Sequence, residues 1–508
     1  MRRTIAAAVL ALSTAAPVLT AAAAPAAHAA GERAAGDRAE RALGLAERIV
    51  SGDAPRAPGA RVDGTLALRE LFTALPDLDP ASRREAAAIL ARPTDGNRDP
   101  AGDGYTVSSR RKCDGPVCVH WVPTTRDAPP SKRWVNKNLA TMNSVWAKEV
   151  GDLGYRRPLE DMQRGGNGKF DVYLKELGSK GLYGYCAPES ARPGTPEFLA
   201  TGYCVLDNDF ARSQFGAPPL DTLQVTAAHE FFHAIQFAYD AGEDGWFMEA
   251  TATWMEERYA DAVNDNRQFL PFGQLGKPAS ALDVFSSSGW NQYGNWAFFE
   301  YLSSNFGVGF VRSIWNEAGA FEGAPDRFSS RAVEVMLRDH GGLPAVFARY
   351  AAGNTIPART YPEGRAWPKA PVAENWRLSA DRPRRSQAFR IDHLSSRTAR
   401  IAPGQTLTAR DWRVRVAVDG PTARSAPAAY LVIERESGRV SRKRLPFGSA
   451  GNGRATLDFS NRKVRSVRIT LANASTRFDC WVQTSYSCQG QPRDDNRRFG
   501  LTVRAFRG

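Results

Sequence analysis

From residue 221 to 240 the apolar positions recur at helical spacing. Leu223, Ala227, Phe231, Ala234, Ile235 and Ala238 share one face, with Val225 and Phe232 on the other. A helix that is apolar nearly all round is a buried one. Asp221, three positions before Gln224 and just after Pro218-Pro219-Leu220, reads as a capping-box-like start. The same period predicts helices over about 246–260 and 292–304, and an earlier one over 137–149. Residues 117–122 and 170–174 read as strands, and the stretch rich in Gly, Pro and Tyr bounded by Cys186 and Cys204 reads as a loop. Strands first and helices later predict an α+β unit. Beyond it the period changes to two: Arg413-Val414-Arg415-Val416-Ala417-Val418 alternates strictly. Residues 431–434, 467–471 and 501–506 are further strands between Gly and Asn turns, as in a β-sandwich.

Composition divides the 508 residues further. Arg2 and Arg3 precede an apolar run that ends in small residues at Ala27-His28-Ala29, the three parts of a secretory signal peptide over residues 1–29. Residues 30–112 carry short helical patterns at 39–50 and 66–75 but few large apolar side chains. They are expected to be a propeptide, with Arg110-Arg111-Lys112 as a processing point, or a small helical N-terminal subdomain. Residues 113–356 form the expected catalytic unit. Pro357, Pro362, Pro368, Pro371 and Pro383 mark an extended linker over 357–385, and residues 386–508 form the sandwich.

Six cysteines fall into three close pairs, Cys113 with Cys118, Cys186 with Cys204 and Cys480 with Cys488, which predicts local disulfides in an extracellular protein. The 67 basic and 54 acidic residues give a net charge of +13, but the basic residues are scattered and interleave no aromatic stripe. That distribution argues against nucleic acid as a partner. No stretch beyond the leader is apolar enough to span a bilayer.

The chemistry concentrates at Ala227-Ala228-His229-Glu230-Phe231-Phe232-His233. Residues four apart on a helix lie one turn apart on one face, so both imidazoles can reach one ion. Zn²⁺ takes nitrogen ligands at about 2.0–2.1 Å, and a catalytic site keeps three protein ligands and one open position. The Glu beside the first His then faces a zinc-activated water. In a buried helix these ionisable groups are costly unless they are paired or bind metal.

Downstream, Trp246-Phe247-Met248-Glu249-Ala250-Thr251-Ala252 resembles the third-ligand stretch of the gluzincins, the HExxH-plus-Glu metallopeptidases that include thermolysin-like enzymes and zinc aminopeptidases. The resemblance covers roughly residues 220–305 and implies a secreted zinc peptidase with a zincin-like catalytic domain, in which His229, His233 and Glu249 hold Zn²⁺ and Glu230 is the general base. Ala250 and Ala252 are small enough for two helices to share one ion. Glu256 and Glu257, two turns on, are the alternative ligands; no His follows His233 until His340. Tyr293 loosely resembles the Tyr-bearing helix start of the zinc aminopeptidases, where a phenol donor serves the oxyanion; packing at a helix start is its other reading.

The expected reaction is hydrolysis of a peptide or protein substrate. The rival is a secreted binding protein with a degenerate, structural zinc site, whose sandwich binds protein or a cell-surface polymer. Three lesser candidates are Asp207 and Asp209 as calcium ligands, His120 as a strand residue near the site, and Asn473-Ala474-Ser475 as a glycosylation sequon.

Overall fold

A computed structural model describes residues 23–53, 64–95, 104–191 and 198–508. The expected signal peptide lies largely outside the described residues.

Three helices lead the chain: α1 (Ala23–Ser51), α2 (Gly64–Ala74) and α3 (Pro80–Ile89). A five-stranded sheet follows, built from β1 (Arg110–Asp114), β2 (Val117–Trp121), β3 (Phe170–Lys175), β4 (Gly184–Ala191) and β5 (Ala200–Asp207), in the spatial order β1-β2-β3-β5-β4. The middle strands are parallel, whereas β1 and β4 are antiparallel edges. The helices after it are α4 (Lys132–Trp146), threaded between β2 and β3, then α5 (Arg212–Phe215), α6 (Pro219–Asp240), α7 (Gly245–Ala260), α8 (Asn291–Gly294) and α9 (Trp296–Phe306).

Successive side chains of a strand point to opposite faces, and here each face has its own partners. Val172, Leu174, Cys204 and Leu206 pack with Leu139, Met142, Phe231 and Ile235 of α4 and α6. Tyr173, Tyr203 and Val205 pack instead with Leu43, Ile49, Leu68 and Leu71 of α1 and α2. The N-terminal region is therefore helical, as one of its two readings has it, but it is a layer over the sheet and not a subdomain with its own core. The basic run Arg110-Arg111-Lys112 lies within β1, paired with β2, and not in an open loop.

Three expectations about local structure are corrected. The stretch between Cys186 and Cys204 is not a loop throughout: β4 and β5 pair antiparallel across it, and the two cysteines face each other in register. The expected helix over 292–304 breaks at Asn295, whose side chain is held by the Leu282 carbonyl at 2.7 Å and the Gln274 N–H at 2.8 Å. Gly294 permits that break, because a Cβ there would meet the Gly273 nitrogen at 2.3 Å. At the start of α6 the cap position is Pro218 and Pro219 is the first helical residue, so Asp221 serves as a first-turn acid and not as the cap.

The C-terminal unit is a two-sheet sandwich, as expected. One sheet runs Val440–Leu445, Pro427–Arg435, Val464–Asn473, Ser395–Pro403, Glu374–Leu378; the other runs Asn452–Asp458, Trp412–Asp419, Arg497–Arg507, Arg384–Ile391. The proline-rich segment 357–385 is no free spacer. Its aromatic residues anchor it: Trp367 packs edge-on against Trp296 with centroids 4.9 Å apart, Tyr361 is buried, and residues 374–378 are already sheet. All three disulfides join the expected pairs. Asn473 is fully buried, its amide donating to the Ile391 and Asp494 carbonyls, which rules it out as a glycan acceptor. At the junction of the two units His393 of the sandwich sits between Asp283 (2.7 Å) and Asp495 (2.6 Å), with Ser487 donating to Asp283 at 2.8 Å.

Candidate metal centre

The α6 helix runs through the interior, with every residue from Val225 to Asp240 buried. Its small residues Ala227, Ala228 and Ala234 are buried in the same core as Ala250 and Ala252 of α7. Across the seam between the two helices His229, His233 and Glu249 present ligand atoms that all lie within 4.8 Å of one another. His229 Nε2 is 3.3 Å from Glu249 Oε2, and His233 Nε2 is 3.1 Å from Glu249 Oε1. Donors about 2.0–2.1 Å from a tetrahedral ion stand ~3.3 Å apart, so this spacing suits zinc. The Glu249 carboxylate is fully buried, and neither oxygen is in hydrogen-bond geometry with any group, imidazoles included. Two imidazole nitrogens and one unsatisfied carboxylate are a donor set that fits Zn²⁺.

The remaining ring nitrogens fix the orientation. Gln236 donates from Nε2 to the Met248 carbonyl at 2.9 Å, which turns its Oε1 toward His233 Nδ1 at 2.7 Å. That nitrogen must then carry the proton, leaving the Nε2 lone pair aimed at the seam. His229 Nδ1 meets Glu256 Oε1 at 2.8 Å in the same way. Glu256 therefore contacts His229 at Nδ1 whereas Glu249 faces its Nε2, and Glu257 accepts from Asn266 Nδ2 at 2.9 Å. Neither Glu256 nor Glu257 is a surface carboxylate; both are buried.

Electrostatics agree with a cation site. Burial pushes His229 down, but the Glu249 and Glu256 carboxylates beside its two ring nitrogens outweigh it and draw its pKa well above the ordinary imidazole value. Burial likewise pushes Glu249 up, yet His233 and then His229 hold it below the usual carboxylate range. Glu149, in the π-helical turn that extends α4, is fully buried with neither oxygen hydrogen-bonded. Its pKa is raised well above normal by burial, with His229 pulling the other way.

Tyr293 of α8 comes to the same place, its ring stacked on His229 with centroids 6.2 Å apart at 24°. His229, Glu230, His233, Glu256 and Tyr293 line one cavity of about 40 Å³, together with Gly64, Tyr183 and Gly184. All the expected site residues therefore converge. The lesser candidates do not: Asp207 spends its carboxylate on the N–H groups of Leu177, Gly178, Asp209 and Phe210, and burial raises it to about 6. His120 is tied to Asp171 at 2.7 Å. The residues missed were Gln236, whose signal was its place three after His233, and Glu149 and Thr65, which nothing local in the sequence connects to the motif.

A family model described as a family of unknown function (DUF6055) matches residues 201–327, a span that contains all five site residues. No curated protein matches the chain. Among solved structures, CorA, a surface-associated copper-binding protein of Methylomicrobium album BG8, is similar at 8% identity and a TM-score of 0.15, over 27% of this chain and 98% of that one. The family GH115 4-O-methyl-α-glucuronidase BtGH115A is similar at 8% identity and a TM-score of 0.14, over 70% of this chain and 54% of that one. Similarity at this level carries no functional argument.

Proposed function

We propose that the chain is a secreted zinc-dependent peptidase of the HExxH-plus-Glu type. The observation that carries the reading is the convergence of His229 Nε2, His233 Nε2 and the otherwise unsatisfied Glu249 carboxylate within 4.8 Å. His229, His233 and Glu249 would hold the ion. When bound, Zn²⁺ supplies a Lewis acid that polarises a carbonyl and makes water a nucleophile at neutral pH. Glu230, one residue from a ligand and on the same cavity, takes the proton of the attacking water and returns it to the leaving nitrogen. Tyr293, stacked on His229, offers a phenol donor to the developing oxyanion. Gln236 and Glu256 keep the imidazoles in register. Three disulfides support an extracellular setting, and no helix among the described residues is long and apolar enough to cross a membrane.

The test is metal analysis paired with hydrolysis of a generic casein or peptide mixture. Glu230→Gln keeps zinc and lowers the rate by about 10²–10⁴, whereas His233→Ala loses both. Undiminished hydrolysis by Glu230→Gln refutes the assigned base. Zinc without any chelator-sensitive cleavage favours a binding protein instead.

A further inference from the structure

A second cavity, of about 490 Å³, opens where α1, α2, the turn between α6 and α7 and the Cys480–Cys488 loop meet. Its size falls in the range of roughly 300–1,000 Å³ that ligand pockets occupy. It shares no lining residue with the metal cavity. The start of α2 belongs to the metal cavity, where the Thr65 hydroxyl donates to Glu230 Oε2 at 2.8 Å. Arg69, Glu70 and Thr73, further along α2, line the second one.

In a chain of net charge +13, this lining is acidic. Glu70, Asp240, Glu243, Asp244 and Asp326 stand against the two arginines Arg38 and Arg69. Arg69 is already committed, to Glu70 at 3.0 Å and to the Glu243 carbonyl at 3.1 Å. Asp244 accepts from Ser329 Oγ at 2.5 Å and from the Cys488 N–H at 2.8 Å. Glu243 is only half satisfied. Its Oε1 accepts from the N–H groups of Asp244 (2.6 Å) and Ser329 (3.1 Å), but Oε2, on a residue 4% exposed, has no hydrogen-bond partner. Burial, with Asp244 and then Asp240 beside it, raises the Glu243 pKa well above the usual range, and burial takes Asp240 to about 7. Buried carboxylates in this state call for a cation. They are not drawn together as metal ligands are: among the described residues, such clusters form at His229, His233 and Glu249 and at Glu257, Asp261 and Glu363. The remaining lining is largely aromatic, including Trp246, Phe285, Phe328 and Trp481, the last of them 72% exposed. A guanidinium suits both features, because it is planar, bonds carboxylates through a fork of donors and lays its face on aromatic rings.

We propose that this cavity takes the arginine side chain of a polypeptide, with Glu243 as its principal anion and Trp481 as a stacking face. A free amino acid fits less well, because its α-carboxylate would enter a cavity already rich in negative charge. The proposal does not rest on the peptidase reading. The test is titration calorimetry with the capped peptide Ac-Ala-Arg-Ala-NH2, on the full chain carrying Glu230→Gln so that no hydrolysis enters the heat. Saturable binding is expected, about 10-fold tighter than for the citrulline peptide, which has the shape without the charge. The lysine peptide and free arginine bind more weakly than the arginine peptide. Glu243→Gln lowers the affinity about 10-fold and Trp481→Ala about 5-fold. Trp481 is exposed, so its variant decides the matter should Glu243→Gln fail to fold. Absence of saturable binding, a citrulline peptide bound equally well, or an affinity unchanged in either folded variant overturns the proposal. Lysine peptide bound as tightly overturns the guanidinium, and free arginine bound as tightly overturns the polypeptide. Removing zinc leaves the affinity unchanged; its loss would move the binding to the metal cavity and overturn the assignment. Calcium that raises the thermal midpoint through Glu243, with no peptide bound, would make this a metal site instead.

Discussion

Replacing Glu256 by leucine removes the acceptor that His229 Nδ1 meets at 2.8 Å, in a site where both residues are buried. A buried hydrogen bond with a charged partner contributes about 1.5–3 kcal/mol. At ~1.4 kcal/mol per decade, that is a 10- to 150-fold weaker zinc complex, in line with the ~10–100-fold range for partners that orient metal ligands. Glu256→Gln keeps an oxygen acceptor and loses only the charge, so its loss is the smaller of the two. The assay is competition for zinc against a chromophoric chelator at neutral pH, with the cobalt spectrum reporting the ligand set. A Leu variant within about threefold of the parent would refute the orienting role, since that lies below the range such partners show. Loss as complete as in His233→Ala, with an altered cobalt spectrum, would refute it from the other side and make Glu256 a ligand.

Tyr293→Phe keeps the ring against His229 and removes only the phenol, so kcat falls by about 10²-fold with zinc affinity unchanged; a full kcat assigns Tyr293 to packing. At the domain junction, burial pushes His393 down, but Asp283 and then Asp495 outweigh it and raise its pKa to about 10. A raised folded pKa stabilises fully below the ordinary value near 6.5 and is lost as pH rises through 10. The thermal midpoint therefore falls between those limits. His393→Ala leaves buried Asp283 and half-buried Asp495 without their cation, costs about 3–5 kcal/mol, and flattens that slope. An unchanged pH profile in the variant would refute the assignment.

Those residues mark where the sequence was readable and where it was not. The buried α6 helix was legible because its apolar period closes all the way round, which no surface helix shows. The two imidazoles and Glu249 followed from spacing within α6 and from a local resemblance at the start of α7. The sandwich strands announced themselves by strict alternation at 413–418. What stayed hidden was long-range. β4 and β5 carry Gly and Pro that read as loop, and only pairing across the sheet makes them strands. The break at Asn295 depends on Leu282 and Gln274, more than ten positions away. The N-terminal helices looked poor in large apolar residues because they do not build a core of their own; Tyr173, Tyr203 and Val205 of the sheet complete it.

The charge balance of the site separates two accounts of the same groups. Glu230, Glu249 and Glu256 meet two imidazoles around a cavity that no lysine or arginine lines among the described residues. Buried charge that is left uncompensated costs several kcal/mol per ion. A proton on His229 would ease the repulsion, and the upward pull on its pKa registers that demand. A cluster held by protons alone, however, would pair Glu249 with an imidazole N–H in good geometry. Instead both Nδ1 atoms are committed elsewhere, to Glu256 and to Gln236, and both Nε2 atoms face a carboxylate 3.1–3.3 Å away that makes no hydrogen bond with them. Such an arrangement, with three lone-pair donors converging across the α6–α7 seam, is what the proposed zinc site requires.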